Sequence, residues 1–213
     1  MPLPVYLDCA ATTPLDPRVR DEVVRVLDEE FGNAGSRTHE RGQRARAAVE
    51  RNLHPVAMAH DGEGAWRPLW FGNEQAPDER SPVYGTSRVL AAVARLPAVA
   101  PALARARARG LGWLIGVQNA DGGWGGARGV ASSIEETGVA LQAVARCAGF
   151  EPAEEVRASA ARAVVWLGAA TSEGHAAEAA PIGLYFARLW YYEELHPIVF
   201  ALAGLSDARR AWG

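Results

Sequence analysis

Few side chains in this sequence could do chemistry. Cys9 and Cys147 are the only thiols, and neither stands in a C-x-x-C spacing, so neither a disulfide framework nor a thiolate metal site is expected. Cys9 reads as a small buried thiol and His39 as a loop histidine rather than a nucleophile and a base. Glu135 and Glu136 are adjacent carboxylates that could form an acid–base pair. They follow Ser133 in the order Ser-Ile-Glu-Glu, which places them in the first turn of a helix, where the dipole favours negative charge. Asp61, Asp78, Asp121 and Asp207 are isolated from one another. No lysine occurs, so all 22 basic residues are arginine and any reaction that needs an amine side chain is excluded. No cofactor and no metal site are expected.

The chain is 213 residues long, enough for one sizeable core or two small ones. A hydrophobic share of 49% and a charged share of 22% belong to a globular chain rather than a disordered one. The net charge of −3 carries no nucleic-acid footprint. Two cysteines fit a reducing, cytoplasmic compartment. The start, Met1 to Ala10, has no charged region followed by an apolar run and reads as no signal peptide. Pro181 to Leu205 is the most apolar stretch, but Arg188, Glu193, Glu194, His196 and Pro197 interrupt it, which makes it a poor membrane span.

Two unlike segments must position these residues. Up to about Arg51 the pattern is a short strand at Val5-Tyr6-Leu7, a turn-rich stretch and a helix starting at Asp16 with Pro17 in its first position. That helix would bury Val19, Val23, Val24, Val26 and Leu27 and end at Phe31-Gly32-Asn33, before a loop and a second helix from Glu40 to Arg51. All seven tryptophans lie beyond this segment. Past residue 60 the periodicity is helical: Tyr84–Leu96, Pro101–Val117, Ser132–Cys147, Ala153–Leu167 and a broken pair across Pro181–Leu205 carry apolar residues at three- and four-residue intervals.

The first segment resembles a known family. Tyr6-Leu7-Asp8-Cys9-Ala10-Ala11-Thr12-Thr13-Pro14, Asp16-Pro17-Arg18-Val19 and Phe31-Gly32-Asn33-Ala34-Gly35-Ser36-Arg37-Thr38-His39 are similar to the start of cysteine desulfurases, pyridoxal-phosphate enzymes of aminotransferase class V. Gly35 to His39 looks most like the branch that serves DNA phosphorothioation. That chemistry needs an aldimine lysine and a distant loop cysteine. The chain has no lysine, so desulfurase activity is rejected, and a 51-residue piece of so large a fold cannot bury a core alone.

The second segment holds the most informative motif: Arg109-Gly110-x-x-Trp113-Leu114-x-x-x-Gln118-x-x-x-Gly122-x-Trp124. A glutamine amide near a helix end can donate to orphan carbonyls, glycines permit positive φ, and a tryptophan can cover the amide, so the motif reads as a stitching device between helices. Arg162-Ala163-x-x-Trp166-Leu167 begins a worn copy with Thr171 in the glutamine position, and Asp61-Gly62-Glu63-Gly64-Ala65-Trp66 looks like the tail of another. The full motif resembles the repeat of squalene-hopene and related triterpene cyclases. Trp66-x-x-x-Trp70-Phe71-Gly72-Asn73, Pro82-Val83-Tyr84-Gly85-Thr86-Ser87 and the aromatic stretch from Pro181 to Tyr192 extend that resemblance over about residues 61 to 207.

The resemblance implies a mainly α fold, an incomplete α/α toroid preceded by a small α/β remnant. Residues 1–51 form the desulfurase-like fragment, 52–60 a junction and 61–213 the cyclase-like segment. It also implies a reaction in which a polyene is protonated and the carbocation is guided by aromatic faces. Trp70 and Tyr84 match pocket positions near the protonation end; Tyr185 and Tyr192 match the late-cation end, where Leu189 or Ala187 replaces an aligned pocket residue. The family's initiating Asp-x-Asp-Asp motif is absent, so no residue of this chain is assigned as catalytic. The implied partners are a squalene-like polyprenoid, a complementary chain that supplies the acid, and a second copy, because an open toroid exposes apolar helix faces. The resemblance further implies peripheral contact with the inner face of the cell membrane. Two other readings stand beside it: a non-catalytic module that binds isoprenoids or helices, and a rearranged fusion without selected activity.

Overall fold

A computed structural model describes residues 17–29, 40, 41, 43, 44, 47, 60–68, 71–96, 101–150, 153–184 and 188–213. The chain divides into two compact units, Met1–Leu53 and His54–Gly213. In the first, α1 spans Pro17–Glu29. Proline at its first position fixes φ and forfeits an N–H that would have no partner there. Val24, expected on the buried side, is 49% exposed. The expected strand at Val5-Tyr6-Leu7, Cys9 and His39 lie outside the described residues.

The second unit contains β1 (Phe71–Gly72), α2 (Pro82–Val93), α3 (Pro101–Gly116), α4 (Ile134–Arg146), α5 (Ala153–Ala170), β2 (Pro181–Leu184), β3 (Leu189–Tyr192) and α6 (Leu195–Trp212). At its centre is α4, in which every residue from Ile134 to Ala145 is buried. A helix buried on every side needs neighbours all round it, and α2, α5 and α6 enclose it. Against α6 it comes backbone to backbone: a Cβ built on Gly138 would lie 2.5 Å from the Phe200 carbonyl carbon, and one on Gly204 would lie 2.5 Å from the Gly138 oxygen. Arg146 closes the far end of that contact with a 2.7 Å ion pair to Asp207.

The helical pairs expected at α2 with α3 and α4 with α5 are present, and Ser133 caps α4 by accepting the Glu136 N–H at 3.2 Å. The broken helical pair expected across Pro181–Leu205 is not. Its first half is a β-hairpin, with β2 antiparallel to β3 in the register Pro181↔Tyr192 and Gly183↔Trp190, and β1 on the other side of β2. Only α6 is helical. Leu-Trp-Tyr-Tyr at Leu189–Tyr192 is rich in aromatics that fit a pleated surface, and Pro181 sits at the first strand residue, where its missing N–H is tolerated. Gly183 is required by the close approach of the partner strand, since a Cβ there would meet the Leu189 carbonyl at 1.8 Å.

Candidate functional site

Two assemblies in the second unit hold the residues singled out from sequence. The first is the stitching motif. Gln118, just past the end of α3, donates through Nε2 to the Gly122 carbonyl at 2.8 Å and to the Ser159 carbonyl of α5 at 3.0 Å. Its Oε1 accepts from the Ser159 hydroxyl at 3.0 Å and from the Arg162 guanidinium. One amide therefore satisfies its own loop and clasps the next helix. Trp124, fully buried, donates its indole N–H to the Leu114 carbonyl at 2.8 Å, and its backbone N–H donates to Thr137 Oγ1 of α4 at 2.9 Å.

The same docking recurs one step earlier in the chain. Gly64, at φ +107°, brings its loop against Arg109, where a Cβ would lie 3.1 Å from the Arg109 carbonyl; Gly122, at φ +98°, meets the Arg162 carbonyl in the same way at 2.8 Å. Trp66 lies against Gly110, where a Cβ would fall 2.3 Å from its ring, and its N–H donates to Thr86 Oγ1 at 3.0 Å, as Trp124 does to Thr137. The tail of each copy thus seats on the basic-small pair of the next. Trp113 is half-buried on α3. Thr171, in the glutamine position of the worn copy, donates to the Leu167 carbonyl at 2.7 Å and the Gly168 carbonyl at 3.4 Å and accepts the Gly174 N–H at 3.2 Å, so its hydroxyl stays within its own helix end and does not clasp a following helix. Gln118→Leu should lower stability by about 2 kcal/mol, because it leaves the carbonyls of buried Ser159 and Gly122 without their shared donor. Urea denaturation of the variant checks this, and Thr171→Leu should cost under half as much.

The second assembly surrounds Tyr84. Its ring packs on Phe71 at 5.5 Å and on Phe200 of α6 at 6.4 Å. A small cavity is walled by Tyr84, Phe200, Val139, Pro181 and the two glutamates, Glu135 and Glu136. Tyr192 is elsewhere: it is 61% exposed and borders a separate cavity of about 610 Å³ with Ser132, Trp166 and Glu178. Trp70 and Tyr185 lie outside the described residues.

Glu135 and Glu136 stand in the first turn of α4, as expected, and both are buried there. Glu136 Oε1 accepts from Asn73 Nδ2 at 2.7 Å and its other oxygen accepts from the Ser133 hydroxyl. The Ser133 N–H, which a capping box would give to that carboxylate, goes instead to the Trp124 carbonyl at 3.0 Å. Glu135 Oε1 accepts the Ala180 N–H at 2.7 Å, while Oε2 is buried without a partner. Desolvation raises both pKa values, that of Glu135 to about 7, opposed there by the Ala180 N–H. Sequence carried one signal for this burial: between Ile134 and Arg146 the only other long polar side chain is Gln142, which leaves no solvent-facing side for the first turn.

Because the folded state holds the Glu135 proton more tightly than the unfolded state, stability contributed by the neutral acid is complete below pH 4.5 and is lost as pH rises to about 7. Glu135→Gln should remove that part of the slope, gaining on the natural protein by on the order of 2 kcal/mol between pH 4 and pH 8. Melting temperatures of both forms across that range test it.

The four isolated aspartates all have structural work. Asp61 accepts three backbone N–H groups of its own loop. Asp78 accepts the Arg80 N–H at 3.2 Å, and Asp121 accepts the Trp166 indole N–H at 3.0 Å and the Ser132 hydroxyl at 2.9 Å. Asp207 pairs with Arg146 and Arg210. Cys147 is buried, and desolvation pushes its thiol up to about 11, so it is not a nucleophile at neutral pH. Among the described residues no helix is long and apolar enough to cross a membrane.

Helices paired around a buried central helix and stapled by Gln and Trp define the α/α-toroid class of terpenoid cyclases, and a solved structure shows the same fold. It is the ent-copalyl diphosphate synthase from Streptomyces platensis, 23% identical with a TM-score of 0.59, the match covering 89% of this chain and 31% of that one. The chain belongs to the family of the squalene-hopene cyclase C-terminal domain, which it matches over residues 8–210. That span begins well before residue 61, where the cyclase motifs start. The chain also carries a cysteine desulfurase-like region. It is 53% identical over 57 residues to the cysteine desulfurases IscS of Methylococcus capsulatus and of Dechloromonas aromatica. These matches take in 27% of this chain and 14% of each desulfurase.

Proposed function

We propose that this chain is the cation-guiding C-terminal portion of a polyene cyclase, taking a squalene-like polyprenoid and lacking the acid that starts the reaction. The observation that carries the reading is the Tyr84–Phe200 wall beside a small cavity, in a domain whose four isolated aspartates are all engaged in structural bonds. Aromatic faces hold a developing carbocation by about 0.5–2 kcal/mol each without offering a nucleophile that would trap it. These four aspartates are committed to loop and helix contacts, and none of them lines that cavity.

A complementary chain therefore supplies the acid. Its docking face is the apolar row Leu195, Ile198, Val199 and Leu202 on α6, all exposed. The test mixes this chain with the acid-bearing portion of a squalene-hopene cyclase and squalene. Cyclic triterpene is expected from the mixture and none from this chain alone; cyclisation by the isolated chain, or none at any ratio, overturns the reading.

The exposed α6 row also favours a second reading, a module that binds isoprenoids or helices without turnover. Quenching of tryptophan fluorescence by squalene, with no product in the reconstituted mixture, would select it.

A further inference from the structure

The strand β3 lies at one edge of the three-stranded sheet and pairs with β2 on one side only. Among the described residues no group outside β2 bonds to its backbone. Alternate residues of such a strand direct N–H and C=O groups outward, where they form a template for another extended strand. Proteins commonly blunt an open edge with lysine, proline or a bulge. Nothing of the kind interrupts β3, whose register with β2 is continuous, and Leu189, Tyr191 and Tyr192 are 55%, 44% and 61% exposed.

The charges that flank this edge decide what it fits. From 188 to 194 the order is Arg-Leu-Trp-Tyr-Tyr-Glu-Glu, a base before the strand and two acids after it. Run antiparallel to a second copy, the segment sets each arginine against the acidic end of the other. Run parallel, it would oppose like charges. Residues directly opposite in an antiparallel pair turn their N–H and C=O groups the same way, so β3 can meet its own copy only with one residue on the twofold axis. With Tyr191 there, Arg188 falls opposite Glu194, and Trp190 falls opposite Tyr192 on both sides of the axis. With Trp190 there, Arg188 falls opposite Tyr192 and the charges miss one another. We propose that β3 is a homodimerisation edge: two copies join antiparallel about Tyr191, making one six-stranded sheet, with Arg188 of each copy paired to Glu193 and Glu194 of the other.

The groups this pairing needs are available. The ion pair of Arg188 with Glu79 uses Nε at 3.4 Å, and the arginine side chain is 78% exposed, which leaves its terminal nitrogens for a second carboxylate. Glu194 precedes α6 but its side chain makes no capping bond there. Three exposed apolar side chains supply less than the roughly 800 Å² per partner of a tight interface, so the dimer is weak and its population depends on concentration. No residue of β3 lines the cavity of Tyr84 and Phe200, and the pairing holds whether or not the chain takes part in cyclisation.

The experiment uses the full chain. Sedimentation over a dilution series should show a monomer–dimer equilibrium that weakens with added salt. Arg188→Glu should weaken it by about tenfold or more, and so should Glu193→Arg combined with Glu194→Arg, because each sets like charges opposite one another. Mixed in equal amounts, these two variants should dimerise with each other, since each offers the charge the other needs. Tyr191→Cys, made together with Cys9→Ser, tests the register. Oxidation should join two copies through position 191, where the Cα atoms of an antiparallel pair lie about 5 Å apart. Trp190→Cys in the same background should not cross-link, because it is two residues out of line with its own copy. Circular dichroism verifies that each variant is folded. Monomer at every concentration, a mixture of the charge variants that stays monomeric, or cross-linking at position 190 but not at 191 would each overturn the proposal. So would a dimer indifferent to both charge reversals, which would place the contact on the exposed row of α6 instead.

Discussion

Replacing Trp124 with alanine will cost on the order of 4 kcal/mol, enough to unfold most of the second unit at 37 °C. Three losses add. The indole is fully buried, so its removal takes away the largest apolar surface in the core and leaves a cavity. The Leu114 carbonyl loses its indole donor at the point where α3 runs into the Gln118 loop. That loop, no longer covered, also loosens its clasp on α5. With a denaturant slope of about 2 kcal/mol per molar, the urea midpoint followed by circular dichroism should fall by about 2 M. Trp124→Phe separates the contributions: it keeps most of the apolar area and loses only the N–H, so it should cost about half as much. Trp166→Ala is the contrast within the same motif, because that ring is half-buried and its N–H reaches a carboxylate at the surface. A drop there as large as that of Trp124→Ala would mean that the repeat, and not burial, sets the cost.

The second large effect is expected where no side chain is present at all. Gly138→Val places branched carbon into the Phe200 backbone, where a Cβ alone would already lie 2.5 Å from the carbonyl carbon. Backbone cannot rotate away as a flexible side chain can, so α4 and α6 must separate, at about 3 kcal/mol or more. Phe200 then moves with α6, and the cavity beside Glu135 opens. Gly112→Ala is the opposite case: a Cβ there meets nothing within 4 Å, and an alanine in the interior of α3 should stabilise by about 0.5–1 kcal/mol. Melting temperatures of the two variants should therefore move in opposite directions. Equal shifts would show that glycine's chain entropy governs both sites.

Sequence periodicity was a good guide where an element's stability is local. Pro17 and the Ser133–Glu136 box announce the starts of α1 and α4 because a fixed φ and a capped N–H are properties of a few neighbouring residues. The stitching motif is legible for a related reason. Gln118, Gly122 and Trp124 lie within seven residues of one another, so their mutual bonds are set by one loop. Their partners are not. Ser159 and Arg162 lie 41 and 44 residues away from Gln118, and no spacing rule reaches across an intervening helix.

The hairpin at Pro181–Tyr192 shows where periodicity fails. Apolar residues at short intervals are compatible with strand or helix, and the choice fell to pairing with β1, a strand more than 100 residues earlier. The two glutamates show the same limit in electrostatic form. Their place in the first turn of α4 is a local fact and was readable. Their solvent was removed by α2, α6 and the residues before β2, which no property of Ile134–Arg146 taken alone can specify.

Residue types and their neighbours along the chain were enough to place the helix starts, the internal stitches, the absence of lysine chemistry and the family's aromatic residues. Which carboxylates are buried, which aspartates are occupied, and that Tyr84 and Phe200 line a cavity that Tyr192 does not share follow from packing between distant segments. Burial and pairing are properties of surfaces brought together from distant parts of the chain, and the free energy of a charge depends on that surrounding rather than on its own place in the sequence.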